Sequence, residues 1–160
     1  NEVNKVPIII CGDFNSQTDS AVYQLLSQGI VKKHVDFHGR DYGKFTDDGF
    51  VNPLHLKSSY DCINELPFTN FTPLFTEVID YIWYSTESLN VKGLLGKVDP
   101  EYVNKTIGFP NQHFPSDHVP LISKFEFTNT SSSNNSSSTQ SNRRSNKIDF
   151  RSDGGFSRKT

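Results

Sequence analysis

The sequence predicts an α/β fold, and three stretches carry that expectation. Val6–Cys11 is a short, unbroken apolar run rich in isoleucine, the pattern of a strand buried on both faces. A polar loop and then a helix-spaced segment follow it directly. Glu77–Ser85 is a second apolar run with large residues on both of its faces, which predicts a central strand.

The elements follow in order. Gly12–Thr18 is polar and reads as a loop. Thr18 or Asp19 is the expected N-cap of a helix whose apolar residues Ala21, Val22, Leu25 and Leu26 fall at helical spacing, and Gly29 is its expected stop. The tract Gly12-Asp13-Phe14-Asn15-Ser16 is therefore expected on a strand-to-helix loop at the carboxyl end of a strand, where α/β proteins favour active sites. Residues 34–57 show no sustained period and contain three glycines and a proline. They predict a long, ordered surface loop, with a short helix near Leu56–Asp61, and loops of that length in compact domains are usually functional. Leu89–Leu95 reads as a neighbouring strand. Val119–Phe127 reads as the last strand, with Leu121, Phe125 and Phe127 inward and Lys124 and Glu126 outward. Pro120 stands at its start, where a missing ladder donor is tolerated.

Charge divides the chain. The 160 residues carry a formal net charge of −2, and their length suits one domain. Residues 128–160 hold six cations against two carboxylates, so the preceding 127 residues carry −6. A generally basic nucleic-acid binder is excluded; any nucleic acid must be met at a local site, with metal ions offsetting carboxylates. The segment 128–160 is rich in Ser and Asn and is expected to be a disordered, basic tail. No apolar run approaches the ~18 residues that span a bilayer, so no membrane partner is expected, and no signal-peptide pattern opens the chain. Cys11 and Cys62 have no metal-ligand spacing, and Cys11 reads as a small buried hydrophobe. A reducing compartment is expected, the cytoplasm first and the nucleus second. The sequons, Asn70-Phe71-Thr72 among them, are read as accidental.

Three places could carry chemistry. In Gly12-Asp13-Phe14-Asn15 a carboxylate and an amide share one loop. The carboxylate can take a proton or hold Mg²⁺ through water, and the amide can donate to a phosphate oxygen without adding negative charge. The plainer reading is an Asx turn beside a helix cap. Asp80 is a carboxylate within an apolar strand, costly unless a partner holds it. A His partner would orient the imidazole and favour its charged form; a structural Asp paired to backbone N–H groups is the alternative. Ser116-Asp117-His118-Val119-Pro120 sets a carboxylate beside an imidazole just before a strand, though a surface loop explains an Asp-His pair equally well. Taken together, a metal with Asp, Asn, Asp and His suits phosphodiester hydrolysis, which needs a neutralised phosphate and an activated water.

The motifs GDFN, IDYIWYS and SDHVPL, in that order, resemble the C-terminal half of the endonuclease/exonuclease/phosphatase superfamily. The stretches Leu66–Pro73 (LPFTNFTP), Gly93–Tyr102 (GLLGKVDPEY) and Gly108–His118 (GFPNQHFPSDH) narrow the likeness to the fungal carbon catabolite repressor family of poly(A) deadenylases. The resemblance covers residues 1–127 and implies the C-terminal half of a four-layered α/β sandwich. It implies a Mg²⁺-dependent 3′–5′ exoribonuclease that shortens poly(A) RNA, with one or two ions and Mn²⁺ as an alternative. Asp13 would position or deprotonate the attacking water near the metal, and Asn15 would bind the scissile phosphate. Asp80 would orient His118, His118 would stabilise the transition state or assist proton transfer, and Asp117 would complete the metal and water network with Asp13. Phe75 would stack on an adenine base; an ordinary core Phe is its alternative. Asn111 and His113 would line the substrate path, although a turn explains Pro110-Asn111 equally well.

The superfamily's first half supplies an Asn, a metal-binding Glu and a further His, and none of these motifs can be placed here. The chain also opens with Asn1. The expectation is a C-terminal fragment, poorly stable and nearly inactive alone, whose parent joins a large deadenylase complex through regions absent here. Two other readings are a same-superfamily phosphoesterase with another substrate and a non-catalytic interaction module. The intact set Asp13, Asn15, Asp80, Asp117 and His118 argues against the module.

Overall fold

The computed structural model describes residues 6–128, which belong to one unit, Asn1–Asn129. The expected tail beyond residue 128 lies outside the described residues. Three strands form the principal sheet, β1 (Ile9–Asp13), β4 (Leu56–Ser58) and β7 (Asp80–Ser85). Their order is β1-β7-β4, with both pairings antiparallel. The expectation of a central strand is met by β7. Tyr81, Trp83 and Ser85 alternate as buried residues with the half-buried Asp80, Ile82 and Tyr84.

Each face of β7 has its own cover. Helix α1 (Ala21–Gln28) lays Tyr23 edge-on against Tyr81 and Trp83, at centroid distances of 5.4 and 5.1 Å. Phe14 joins the same aromatic group, and Leu56 and Val78 complete this core. On the opposite face Tyr84 meets Phe125, centroids 5.3 Å apart. Phe125 belongs to a hairpin of β8 (Leu89–Leu94) and β9 (Ser123–Phe127), a pair separate from the principal sheet. Leu89–Leu94 is thus a neighbouring element that pairs with the last strand and not with β7. A second core gathers Tyr60, Leu66, Phe68, Phe109 and Val119. There the Tyr60 hydroxyl accepts from the Ile122 N–H and lies 3.1 Å from the Leu95 carbonyl, tying the 60s to the final hairpin.

Several expectations are corrected. Strand β1 is an edge strand and is exposed throughout; Ile9 is 50% and Ile10 37% exposed, and Cys11 is exposed as well. An apolar run reports a preference for burial, but a partner must be present to satisfy it, and among the described residues β1 has one neighbour. The single strand expected over 77–85 is two elements. Thr76–Glu77 (β6) pairs with Asn70–Phe71 (β5), and β7 starts at Asp80, so Asp80 stands at a strand entrance and not mid-strand. Phe127 is 67% exposed because the hairpin ends there. The helix cap is Ser20, whose hydroxyl accepts from the Tyr23 N–H; Gly29 ends the helix in the left-handed region at φ 77°, as expected.

Residues 34–57 are more structured than a loop. Ile30–Val31 (β2) and Phe50–Val51 (β3) form an antiparallel pair that closes an excursion containing a 3₁₀ turn at Val35–Phe37 and helix α2 (Lys44–Asp48). Leu56–Ser58 is strand β4, and the expected short helix is a 3₁₀ turn at Asp61–Ile63. These pieces are too short for periodicity to register. Among the described residues no helix is long and apolar enough to cross a membrane.

Trp83 is fully buried at the centre of the first aromatic core. Trp83→Ala should destabilise the fold by about 3–5 kcal/mol, read as a lowered urea midpoint by circular dichroism. A shift under about 0.5 kcal/mol, the scale of neutral surface changes, would show that this core does not hold the sheet together.

Candidate active site

The register of β1 and β7 builds the site. Asp13 is the cross-strand partner of Asp80, so their side chains stand on one face of the sheet. Just beyond, the Phe14 N–H donates to the Ile79 carbonyl at 2.9 Å, and the Phe14 ring is sunk among Tyr81 and Trp83 on the other face. The Tyr81 hydroxyl lies 2.8 Å from the Ser16 carbonyl and 2.9 Å from that of Val78, which pins the far side of the loop. Asn15 has φ 47°, a left-handed conformation that Asn tolerates. Its N–H donates to Asp13 Oδ1 at 2.7 Å. The plain Asx-turn reading is therefore physically present, and it fixes the Asp13 carboxylate in place.

His118 arrives from a third segment. Its Nδ1 lies 2.8 Å from Asp80 Oδ2. Its backbone N–H donates to Ser116 Oγ at 3.0 Å, and the next residue's N–H donates to the Thr69 carbonyl. Asp13, Asp80 and His118 each offer a ligand atom, and these atoms all lie within 4.8 Å of one another. Partial burial works against the charged form of His118. The hydrogen bond and charge of Asp80, with the charges of Asp117 and Asp13, outweigh it and raise the imidazole pKa above the ordinary 6.5. The stability that this pair contributes is therefore fully present below about pH 6.5 and is lost as pH rises through the raised value.

Asp117 stands beside this group and not within it. Its Oδ2 lies 3.5 Å from Asn70 Nδ2, and its carbonyl accepts from the Phe71 N–H. Phe75 is 43% exposed at the tip of the β5–β6 hairpin, so it is not a core residue. That tip is held by the Thr72 N–H on the Phe75 carbonyl and by the Phe75 N–H on Thr72 Oγ1. The base of the same hairpin, Asn70, bridges to His118.

Asn111 is accounted for by its own loop. Its Oδ1 accepts from the His113 and Phe114 N–H groups and from the Tyr102 hydroxyl, and its Nδ2 donates towards Thr106 and Gly108. The turn is present at Asn111, whose side-chain amide is bonded within the protein. His113 is exposed and contacts Gln112.

Two residues of the site escaped sequence reasoning. Thr69 is 1% exposed, and its Oγ1 accepts from both the Ile79 and Asp80 N–H groups, which sets the entrance of β7. Asn70 is also buried, and its Oδ1 has no partner among the described residues. The signal available was a Thr-Asn pair inside the apolar stretch Leu66–Phe71, since buried polar groups demand partners. Reading Asn70 as part of an accidental sequon hid it.

An exposed carboxylate beside a carboxylate–imidazole pair can serve hydrolysis, and its oxygen-rich donor set suits a hard divalent cation. The sequence profile of the Endonuclease/Exonuclease/phosphatase family matches residues 2–118. The chain belongs to that family. It is 61% identical over 133 residues to the CCR4-Not complex 3′-5′-exoribonuclease subunit Ccr4 of Saccharomyces cerevisiae, covering 82% of this chain and 16% of that protein. It is 62% identical over 125 residues to the subunit of the same name from Candida albicans, covering 78% of this chain and 16% of that protein. The chain thus spans about one sixth of the length of these relatives. Among solved structures it is similar to the human Nocturnin catalytic domain with bound sulfate, with a TM-score of 0.50 and 29% identity, covering 78% of this chain and 34% of that one. It also matches the fold of ANGEL2, a 2′,3′-cyclic phosphatase, with a TM-score of 0.61 and 21% identity, covering 78% of this chain and 47% of that one. The α/β fold inferred from the sequence is the family's fold. The metal dependence of the endonuclease/exonuclease/phosphatase superfamily agrees with the donor set of the Asp13–Asp80–His118 group.

Asp80→Asn removes the charge that holds His118. The imidazole should then titrate at a lower pH than in the parent protein, followed by NMR of the ring C–H protons in metal-free buffer. An unchanged titration would mean that the imidazole is not governed by Asp80.

Proposed function

We propose that this chain supplies the acid–base face of a Mg²⁺-dependent 3′–5′ exoribonuclease that shortens poly(A) RNA. The activity is that of a longer polypeptide of the Ccr4 kind, working as a subunit of a deadenylase complex in the cytoplasm. The observation that carries the reading is the meeting of Asp13, Asp80 and His118, drawn from three separate segments, in a chain about 60% identical to proteins named 3′-5′-exoribonuclease subunits.

The residues divide the work by their chemistry. Asp13 is exposed and held by the Asn15 N–H, so it can receive a proton from an attacking water without moving. The Asn15 side-chain amide can donate to a phosphate oxygen at no cost in negative charge. His118, kept charged by Asp80, sets a positive charge where negative charge develops on the phosphate in the transition state. Its ring is oriented before substrate arrives, because Asp80 is itself fixed by the Thr69 hydroxyl at its own N–H. Asp13 would hold the cation, and Asp117, which stands beside the group, would add negative charge there. When bound, such an ion neutralises phosphate charge and lowers the pKa of a bound water. Phe75, exposed on a braced hairpin tip, offers an aromatic face to a base, and His113 an exposed donor along the RNA path.

The test is to graft residues 1–127 in place of the matching segment of the budding-yeast relative and to follow a 5′-labelled RNA ending in adenosines. Removal of adenosines with Mg²⁺ and none with EDTA is expected. A graft that folds and leaves the RNA intact would refute the assignment. Asp13→Ala or His118→Ala in the graft should each lower turnover by at least about a hundredfold, the scale for losing one group that acts in the transition state. A loss under about tenfold would remove that residue from its role. Phe75→Ala should erode the preference for A over U or C while leaving the Mg²⁺ requirement unchanged, whereas equal losses on every homopolymer would count against stacking.

A further inference from the structure

The excursion between β2 and β3 carries a cleft of about 250 Å³ whose lining includes Lys32, Lys33, His34 and Arg40 but no carboxylate. Such a wall is out of keeping with a body of net charge −6. Among the described residues, Lys32, Lys33 and Arg40 have no ion-pair partner. Two of the segment's carboxylates are engaged locally. Asp36 accepts from the Ala21 N–H and lies 3.3 Å from His34, and Asp41 accepts from the Gly43 N–H and the Thr46 hydroxyl. Asp47 and Asp48, on α2, are exposed and do not line the cleft.

The rest of the wall is aromatic. Phe37, Tyr42 and Phe50 meet one another at centroid distances of 5.4 to 5.6 Å, and Phe45 stacks on Phe50 at 5.1 Å. Tyr42 and Phe45 remain exposed despite this packing. The stem of Lys32 is held closely, since a Cβ on Gly49 would lie 2.8 Å from Lys32 Cγ. Cations beside exposed rings form the combination that grips single-stranded nucleic acid, through phosphate contact and base stacking.

Position links the cleft to the site. The excursion is clamped to the start of α1 by His34 Nε2 on the Asp19 carbonyl at 2.8 Å and by Asp36 on the Ala21 N–H. Asp19 is four residues beyond Asn15, a reach of at most roughly 14 Å at full extension. We infer that this cleft binds single-stranded RNA on the 5′ side of the nucleotide being removed, with Lys33 and Arg40 on phosphates and Tyr42 beneath a base. The inference rests on the exoribonuclease reading for the direction of the strand, and not for the binding itself.

The experiment uses the graft described above in EDTA, so that binding is read without turnover. Fluorescence anisotropy compares a long oligoadenylate with a short one that reaches only the Asp13–His118 group. Lys33→Gln with Arg40→Gln should weaken the long RNA about tenfold and flatten the plot of log affinity against log salt by about 1.4, the value for two lost phosphate contacts on a single strand. Short-RNA affinity, and turnover of the short RNA with Mg²⁺, should be unchanged. Tyr42→Ala should weaken long-RNA binding without altering the salt slope. Long-RNA affinity and slope that match the parent in both variants would overturn the proposal, as would an acidic peptide captured by the cleft in place of RNA. Loss of hydrolysis in the unsubstituted graft with normal salt-dependent binding would refute the exoribonuclease reading and leave the cleft standing.

Discussion

Two carboxylates facing each other across antiparallel strands repel, and the site is organised around that repulsion. The register that pairs Asp13 with Asp80 sets like charges opposite each other, an unfavourable arrangement in a sheet. One compensation is visible: His118 bonds to Asp80, and its pKa is raised by the same carboxylates that need a cation. A hard divalent ion near Asp13 would be the other. The fold thus holds a locally unfavourable charge pair, and a cation that relieved it would supply what the proposed phosphodiester cleavage requires.

Holding such a pair needs rigid surroundings. On the opposite face of the sheet, Phe14, Tyr23, Tyr81 and Trp83 pack edge to face, so the loop bearing Asp13 and Asn15 is anchored by the ring between them. From the other side Thr69 accepts from the Ile79 and Asp80 amides at the entrance of β7, and Asn70 bridges to the backbone of His118. The Leu66–Phe71 stretch therefore joins Asp80 to His118 without taking part in the chemistry. The exposure of β1 fits the same picture: among the described residues the strand bearing Asp13 has one neighbour, and its apolar residues are exposed.

Much of the site was legible in the sequence because its residues are chemically conspicuous. An Asp after an isoleucine run, an Asp within an aromatic strand and an Asp-His pair before a final strand each stand out against their neighbours. Their mutual distances were not legible, since register and loop path are set by contacts between segments far apart in the chain. Thr69 and Asn70 were missed for the same reason. Their value lies in which amides and carboxylates they meet, and Thr-Asn carries no pattern of its own. Asn111 was assigned to the substrate path only through the resemblance of its loop, and sequence did not show that its amide bonds to Tyr102, Thr106, Gly108 and the His113 and Phe114 N–H groups.

Local pattern alone determined the α/β class, the helix from Ala21 with its Gly29 stop, the centrality of the Asp80–Ser85 strand and the identity of the chemical groups. These follow from periodicity, turn chemistry and residue type, which are properties of neighbours in the chain. Tertiary structure decided the rest. It set Asp13 opposite Asp80, brought His118 to within 2.8 Å of the latter, left the isoleucine strand at an edge and folded residues 30–51 around a cation-lined cleft. Each of these depends on which distant surfaces meet, and a one-dimensional pattern of hydrophobicity states a demand for burial without naming the partner that meets it.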